Sequence, residues 1–304
     1  MMADQNPSLI PQLSVDLLPP QGEQQTLLLL GPCLTAEHAA QALAGCGVMT
    51  PVLAEVVTPS LQRIGWQGQC AGALPPAPTG CELLMLPTQT PSLSEPGLLL
   101  MDMDSTMIAI ECIDEIARRG GVYQQVAEVT ELAMQGGLDF ADSLRQRVAM
   151  LEGIPVSVMD EIAADLPLNP GLECLCQTLK ARGWKMALAS GGFNRIARVL
   201  AQQLGLDHFE ANDLAVEGER LTGQITGPIV DAQRKAAILS ELGQRYGIPS
   251  RQWLAIGDGA NDLPMLAAAQ LGVGYHAKPA VAAQADVAIQ QLGLDAVLAL
   301  LQHG

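Results

Sequence analysis

The chain has 304 residues, 49% of them hydrophobic, and a formal net charge of −16 at pH 7. That length holds two domains plus an inserted cap, and the acidic balance argues against nucleic acid or anionic membrane as partners. Seven cysteines without paired spacing fit a reducing compartment better than a disulfide framework. Residues 1–12 lack the basic and apolar parts of a signal peptide and no apolar run is long enough to span a membrane, so the expected location is the cytoplasm.

In chain order, residues 26–30 and 51–57 read as strands flanking a helix over 35–44, and residues 81–86 as a further strand. Pro/Gly-rich stretches at 72–80 and 87–96 read as loop and linker. Residues 1–90 are therefore expected to form a small α/β module. Leu98, Leu99, Leu100 and Met101 then make an apolar run that stops at Asp102 and Asp104. Such a run reads as a buried parallel strand, whose carboxyl end is where open α/β folds place ligands. Two crowded carboxylates there call for a cation, a shared proton, or both; on local evidence an Asp-rich turn weighs the same.

Between the first two motifs lies an insert of roughly seventy residues, too long for an ordinary crossover, which predicts a separate cap. Phe140, Leu144, Val148 and Leu151 form a helical stripe with Arg147 beside it. An arginine there either snorkels to the surface or faces a cleft. Glu111 shares a polar face with Glu115 and Arg118, which locally favours a solvated role. Cys174 and Cys176 fall two apart in a predicted helix, where side chains do not meet, and read as packing rather than zinc ligands.

A third strand, from Lys185, ends in Ser190, Gly191 and Gly192 just before a helix, a place where backbone N–H groups can meet an anion, although a serine-capped turn is the commoner explanation. Residues 216–226 alternate around a glycine turn and predict a hairpin. Lys235 lies one turn into a helix opened by Asp231, where the macrodipole disfavours a cation; a nearby anion, or an i,i+4 pair with Asp231, would resolve this. Finally Trp253, Leu254, Ala255 and Ile256 run into Gly257, Asp258, Gly259, Ala260, Asn261 and Asp262. The alternating ligands and distal glutamate of an EF-hand are missing, and such an oxygen site suits Mg2+.

In this order the motifs Asp-x-Asp-Ser-Thr, Ser-Gly-Gly, a lone lysine and Gly-Asp-Gly-x-Asn-Asp resemble the haloacid dehalogenase superfamily of phosphohydrolases. Glu111 after the first motif and Phe-x-x-Ser-Leu-x-x-Arg-Val from Phe140 are similar to its phosphoserine phosphatases. The resemblance runs from about residue 97 to the C-terminus. It implies a Rossmann-like α/β core with a parallel sheet in residues 91–304 and a helical cap at about 108–168. It further implies Asp102 as nucleophile, Asp104 as general acid and base, and Ser190, Gly191, Lys235 and Asn261 around the phosphoryl group. Mg2+ would be held by Asp102, the Asp104 carbonyl and Asp258. Asp262 would support the cluster through Lys235 or through water, the two staying open. Glu111 and Arg147 would grip an ammonium and a carboxylate, with Met134 and Phe140 lining the pocket and the hairpin as a flap. The implied reaction is hydrolysis of O-phospho-L-serine through an aspartyl-phosphate, the last step of serine synthesis. A phosphatase or phosphotransferase for another small amino phosphate, such as phosphohomoserine, is the alternative. A phospho-receiver would lack the second acid and the cap, and a nucleotide-sugar transferase would not need the later motifs. The N-terminal module resembles ACT-type regulatory domains, with a structural role or a homodimer contact equally open. All of this chemistry lies downstream of residue 90, which predicts a catalytic unit separable from the module.

Overall fold

A computed structural model describes residues 25–44, 46, 49–68, 74–134 and 139–301. Residues 1–12, part of the 72–80 loop and the side chain of Met134 lie outside the described residues. The N-terminal module contains β1 (Gln25–Gly31), α1 (Ala36–Ala42), β2 (Met49–Thr58), β3 (Leu61–Gly68) and β4 (Glu82–Leu86). They form an antiparallel sheet in the order β2-β3-β1-β4. Thr35 caps α1 by accepting the His38 N–H.

Strand β3 is absent from the sequence reading. Its buried position 63 is an arginine, which breaks the apolar alternation that marks a half-buried strand. Arg63 is tolerated inside because it pairs with Glu55 and donates to the Ala299 carbonyl.

Downstream come β5 (Leu98–Met101), α2 (Cys112–Arg119), α3 (Tyr123–Met134), α4 (Phe140–Ala149), α5 (Ser157–Ala164) and α6 (Leu172–Ala181). They are followed by β6 (Lys185–Phe193), α7 (Asn194–Leu204), β7 (His208–Glu217), β8 (Arg220–Thr226) and α8 (Ala232–Tyr246). The chain closes with β9 (Trp253–Gly257), α9 (Leu263–Ala268), β10 (Leu271–Tyr275), α10 (Pro279–Ala282), β11 (Val287–Ile289) and a 3-10 helix, Leu294–Leu300. The second sheet runs β11-β10-β9-β5-β6-β7-β8, parallel except for the β7–β8 hairpin. Strand β5 sits between β6 and β9 and is fully buried. Leu98 and Leu100 pack toward α8 and α9, while Leu99 and Met101 pack into the larger core on the opposite face.

Helices α2 to α5 form the cap. Its two connections meet where Ile108 bridges Leu168 and the Ala109 N–H donates to the Pro167 carbonyl. The β8 edge is continuous with the cap through Gly153, Ile154 and Leu221.

Where the sequence predicts a separable module, the N-terminal sheet packs against the downstream unit. Leu28, Leu30, Leu61 and Leu84 belong to the same buried cluster as Leu99, Met101 and the 3-10 helix. Glu82 accepts the backbone N–H groups of Gln290, Gln291 and Leu292. Among the described residues no helix is long and apolar enough to cross a membrane.

Candidate active site

Register explains why the motifs converge. Met101 lies opposite both Leu188 and Ile256, so Asp102 and Asp104 just past β5, Ser190 in the C-terminal half of β6, and Asp258 just past β9 come together at the same carboxyl end of three adjacent strands. A cavity of about 150 Å³ opens there, lined by Asp102, Asp104, Ser190, Gly191, Asp258 and Asn261 from the core. The cap contributes Glu111, Ile113, Phe140, Leu144 and Arg147 to the same wall.

Asp102 is 6% exposed. Its Oδ1 accepts the Met103 N–H at 2.7 Å and faces Lys235 Nζ at 2.9 Å, leaving Oδ2 without a protein donor among the described residues. Lys235 has 0% exposure and also donates to Asp262 Oδ1 at 2.8 Å. The pairing with Asp231 therefore does not occur; Asp231 instead caps α8 by accepting the Arg234 N–H. Burial on its own would lower the Lys235 pKa, but the charges of Asp102 and Asp262 outweigh it and hold the ammonium above its ordinary value. Burial first, and then the charge of Asp262, raise Asp102 well above the usual carboxylate range against the pull of Lys235.

Asp262 uses both oxygens inside the protein. Oδ1 takes Lys235, and Oδ2 takes the N–H groups of Asp258 and Gly259. A side chain at Gly257 would run into Asp262, so the glycine lets the carboxylate approach the loop. Asp258 accepts the Thr106 hydroxyl at 2.9 Å, and burial, then Asp262, push its pKa up to about 6. Oxygens of Asp102, Asp258 and Asp262 lie within 4.8 Å of one another. Three carboxylates against one ammonium leave an excess of negative charge, a donor set suited to a divalent cation.

The Asp104 Oδ1 is buried without a hydrogen-bond partner among the described residues. Burial, followed by the charge of Glu111, lifts the Asp104 carboxyl to about 7, while the Cys112 thiol and N–H pull the other way. It is thus able to hold or release a proton near neutrality. Ser190, Gly191 and Gly192 lie inside β6 rather than in a turn, and the strand bulges there by two residues relative to β7. Phe140 closes over Gly191, where an added Cβ would come within 2.8 Å of its ring.

In the cap, Glu111 Oε1 accepts the Ser105 hydroxyl at 2.6 Å, with Ser105 held at φ 57°, in the left-handed region. Arg147 has no ion pair among the described residues. Burial lowers its pKa, opposed by the charges of Asp114, Glu111 and Asp104. The cleft-facing alternative is the one this geometry supports. Thr106 and Cys112 contact the carboxylates yet had no role in the sequence reading. Thr106 sat inside the first motif, whereas a buried cysteine at a helix start gives no chemical signal.

Residues 97–270 match the haloacid dehalogenase-like hydrolase family. The chain is 52% identical over 211 residues to a phosphoserine phosphatase of Vibrio cholerae, covering 69% of this chain and 64% of that protein's length. In structure it is similar to a probable phosphoserine phosphatase from Vibrio cholerae in unliganded form, with a TM-score of 0.79 and 40% identity over 91% of this chain and 86% of the other. A phospho-aspartyl intermediate analogue of a phosphoserine phosphatase superposes with a TM-score of 0.65 at 36% identity, covering 68% of this chain and 100% of that one. The chain belongs to the haloacid dehalogenase-like hydrolase family, on its phosphoserine phosphatase branch.

Proposed function

We propose that this chain hydrolyses O-phospho-L-serine to L-serine and phosphate, consistent with the last step of serine synthesis. The observation that carries this reading is the unpaired Arg147 guanidinium sharing one cavity wall with Glu111, beside Asp102 and Asp104. A zwitterionic amino acid supplies the two complementary charges, its carboxylate for Arg147 and its ammonium for Glu111.

Asp102 Oδ2 is the nucleophile: it attacks phosphorus while the bond to the serine oxygen breaks, giving an aspartyl-phosphate. Asp104, still protonated near neutrality, gives its proton to the departing alkoxide. It then takes a proton from the water that attacks the aspartyl-phosphate, releasing phosphate and restoring Asp102. Ser190 and Gly191, with Asn261 beside them on the cavity wall, hold the phosphoryl oxygens together with Lys235, which is paired with Asp102.

Asp102, Asp258 and the Asp104 carbonyl would hold Mg2+, and Asp262, with both oxygens already committed, orients Lys235 and the Asp258 loop. Bound there, the ion supplies charge neutralisation for carboxylates and phosphoryl oxygens. Pairing of Ile108 with Leu168 supports a cap at about 108–168 within a phosphatase unit of residues 91–304.

Phosphate release from L-phosphoserine, phosphothreonine, phosphohomoserine and phosphoethanolamine tests the assignment. Phosphoserine is expected to be the best substrate and phosphoethanolamine, which has no carboxylate, a poor one. Equal rates on these two would overturn it.

A further inference from the structure

Asn212 lies in β7 with 0% exposure, and no step above uses it. An asparagine is poorly suited to a strand interior, and a buried one must find partners for both ends of its amide. Its Nδ2 donates to the Gly191 carbonyl at 2.8 Å, and its Oδ1 accepts the Val230 N–H at 2.9 Å. These two contacts reach the two segments that carry the phosphoryl-binding groups. Gly191 stands in the β6 bulge beside Ser190, and Val230 immediately precedes Asp231, the cap of the helix that bears Lys235.

The Gly191 contact extends further. The Gly191 carbonyl belongs to the same peptide plane as the Gly192 N–H, which donates to Ser190 Oγ at 2.9 Å. Asn212 thus fixes one end of that plane and Ser190 reads the other. With its oxygen already accepting from Gly192, the Ser190 hydroxyl has its own proton left to donate, and it lines the cavity. Linked hydrogen bonds polarise one another, so the amide on Gly191 strengthens the contact that orients Ser190. The two-residue bulge between Ala189 and Phe193 leaves this stretch without ladder bonds to β7, and Asn212, paired with Phe193, reaches back into the gap.

We propose that Asn212 is a positioning residue for phosphoryl transfer: acting through the Gly191–Gly192 peptide and Val230, it holds the Ser190 hydroxyl and the Lys235 helix in register with each other. It does not touch substrate. The inference rests on the phosphatase reading but not on serine as the leaving group, because the parts it aligns meet only the phosphoryl group.

The test compares Asn212→Asp with Asn212→Ala and with Asn194→Ala. Aspartate keeps the acceptor for Val230 and turns an oxygen toward the Gly191 carbonyl in place of the donor. Asn194 makes a similar clamp on the same strand, through both backbone groups of Ala211, and faces no phosphoryl group. Each variant is assayed for kcat and KM on O-phospho-L-serine and on an aryl phosphate, for the inhibition constant of inorganic phosphate, and for Tm. A displacement of about 1 Å in a positioned group costs on the order of a hundredfold in rate. Asn212→Asp is therefore expected to lower kcat by about tenfold to a hundredfold on both substrates in parallel and to raise the phosphate inhibition constant, with KM for phosphoserine moving less. Asn194→Ala is expected to shift Tm while leaving the phosphate inhibition constant near wild type. Wild-type phosphate binding in Asn212→Asp, or an equal shift in Asn194→Ala, would overturn the proposal. If the wild-type protein favours another phosphomonoester over phosphoserine, the serine assignment fails, while the aryl phosphate and inorganic phosphate measurements still decide the role of Asn212.

Discussion

Replacing Arg147 by alanine separates recognition of the amino acid from phosphoryl chemistry. The guanidinium is partly buried, lines the cavity together with Glu111, and has no ion pair among the described residues. Among the described residues its one hydrogen bond is a long one, from Nε to the Ser143 carbonyl at 3.4 Å. Little internal stabilisation is lost on truncation, because α4 keeps its Asp139 cap and its buried Leu144 and Val148. The cost appears instead in the complex, where a substrate carboxylate is left desolvated without its partner. Truncating one member of a buried charge pair costs about 2–5 kcal/mol, and the partial exposure of Arg147 favours the lower part, about 2–4 kcal/mol. At 1.36 kcal/mol per tenfold, kcat/KM on O-phospho-L-serine is expected to fall roughly thirty- to ninehundred-fold. An aryl phosphate carries no carboxylate and should lose less than about threefold. Steady-state phosphate release on both substrates, with Tm measured alongside, provides the comparison. A parallel fall on both would refute the assignment and place Arg147 in phosphoryl binding or in the cap fold.

Asp102→Asn should lower kcat by more than about a thousandfold, with Tm unchanged or higher, because it removes a buried charge while Lys235 keeps Asp262; near-normal turnover would exclude the covalent route. Because Asp258 is pushed up to about 6 and Asp102 is also raised, both gain protons as pH falls, and the Mg2+ concentration for half-maximal activity should rise up to about tenfold per proton per pH unit below about pH 6; a requirement independent of pH, or full activity after exhaustive chelation, would remove the metal assignment. Deleting residues 1–90 uncovers Leu28, Leu30, Leu61 and Leu84's side of the shared core, where burial of four leucines is worth roughly 6–12 kcal/mol, comparable to the whole stability of a domain. The truncated chain should aggregate or melt far below the full-length protein, and a soluble, active fragment with unchanged Tm would refute that packing.

The residues of the candidate site are legible in the sequence because a parallel sheet imposes a simple geometry. Apolar runs that stop at Asp102 and Asp258 must present those groups at strand ends, β6 carries Ser190 to the same side within its bulge, and the order of motifs supplies the rest. Residues 216–226 likewise announced their hairpin through local alternation, which pairing of Val216 with Leu221 bears out. Other features depend on partners distant in sequence. The helix position of Lys235 points to a nearby anion while leaving a pair with Asp231 open, and only the adjacency of β5 and the 3-10 turn at Asp262 gives it two buried carboxylates. Periodicity left Arg147 between surface and cleft, since the direction of a cap helix is set by the paired connections at Ile108 and Leu168. Strand β3 is hidden from sequence periodicity because its buried Arg63 is paired with Glu55 on the neighbouring strand and donates to the Ala299 carbonyl, 236 residues away. The union of the N-terminal sheet with the catalytic core follows the same pattern: burial of a face is a property of two surfaces, and the sequence of either one describes only half of it.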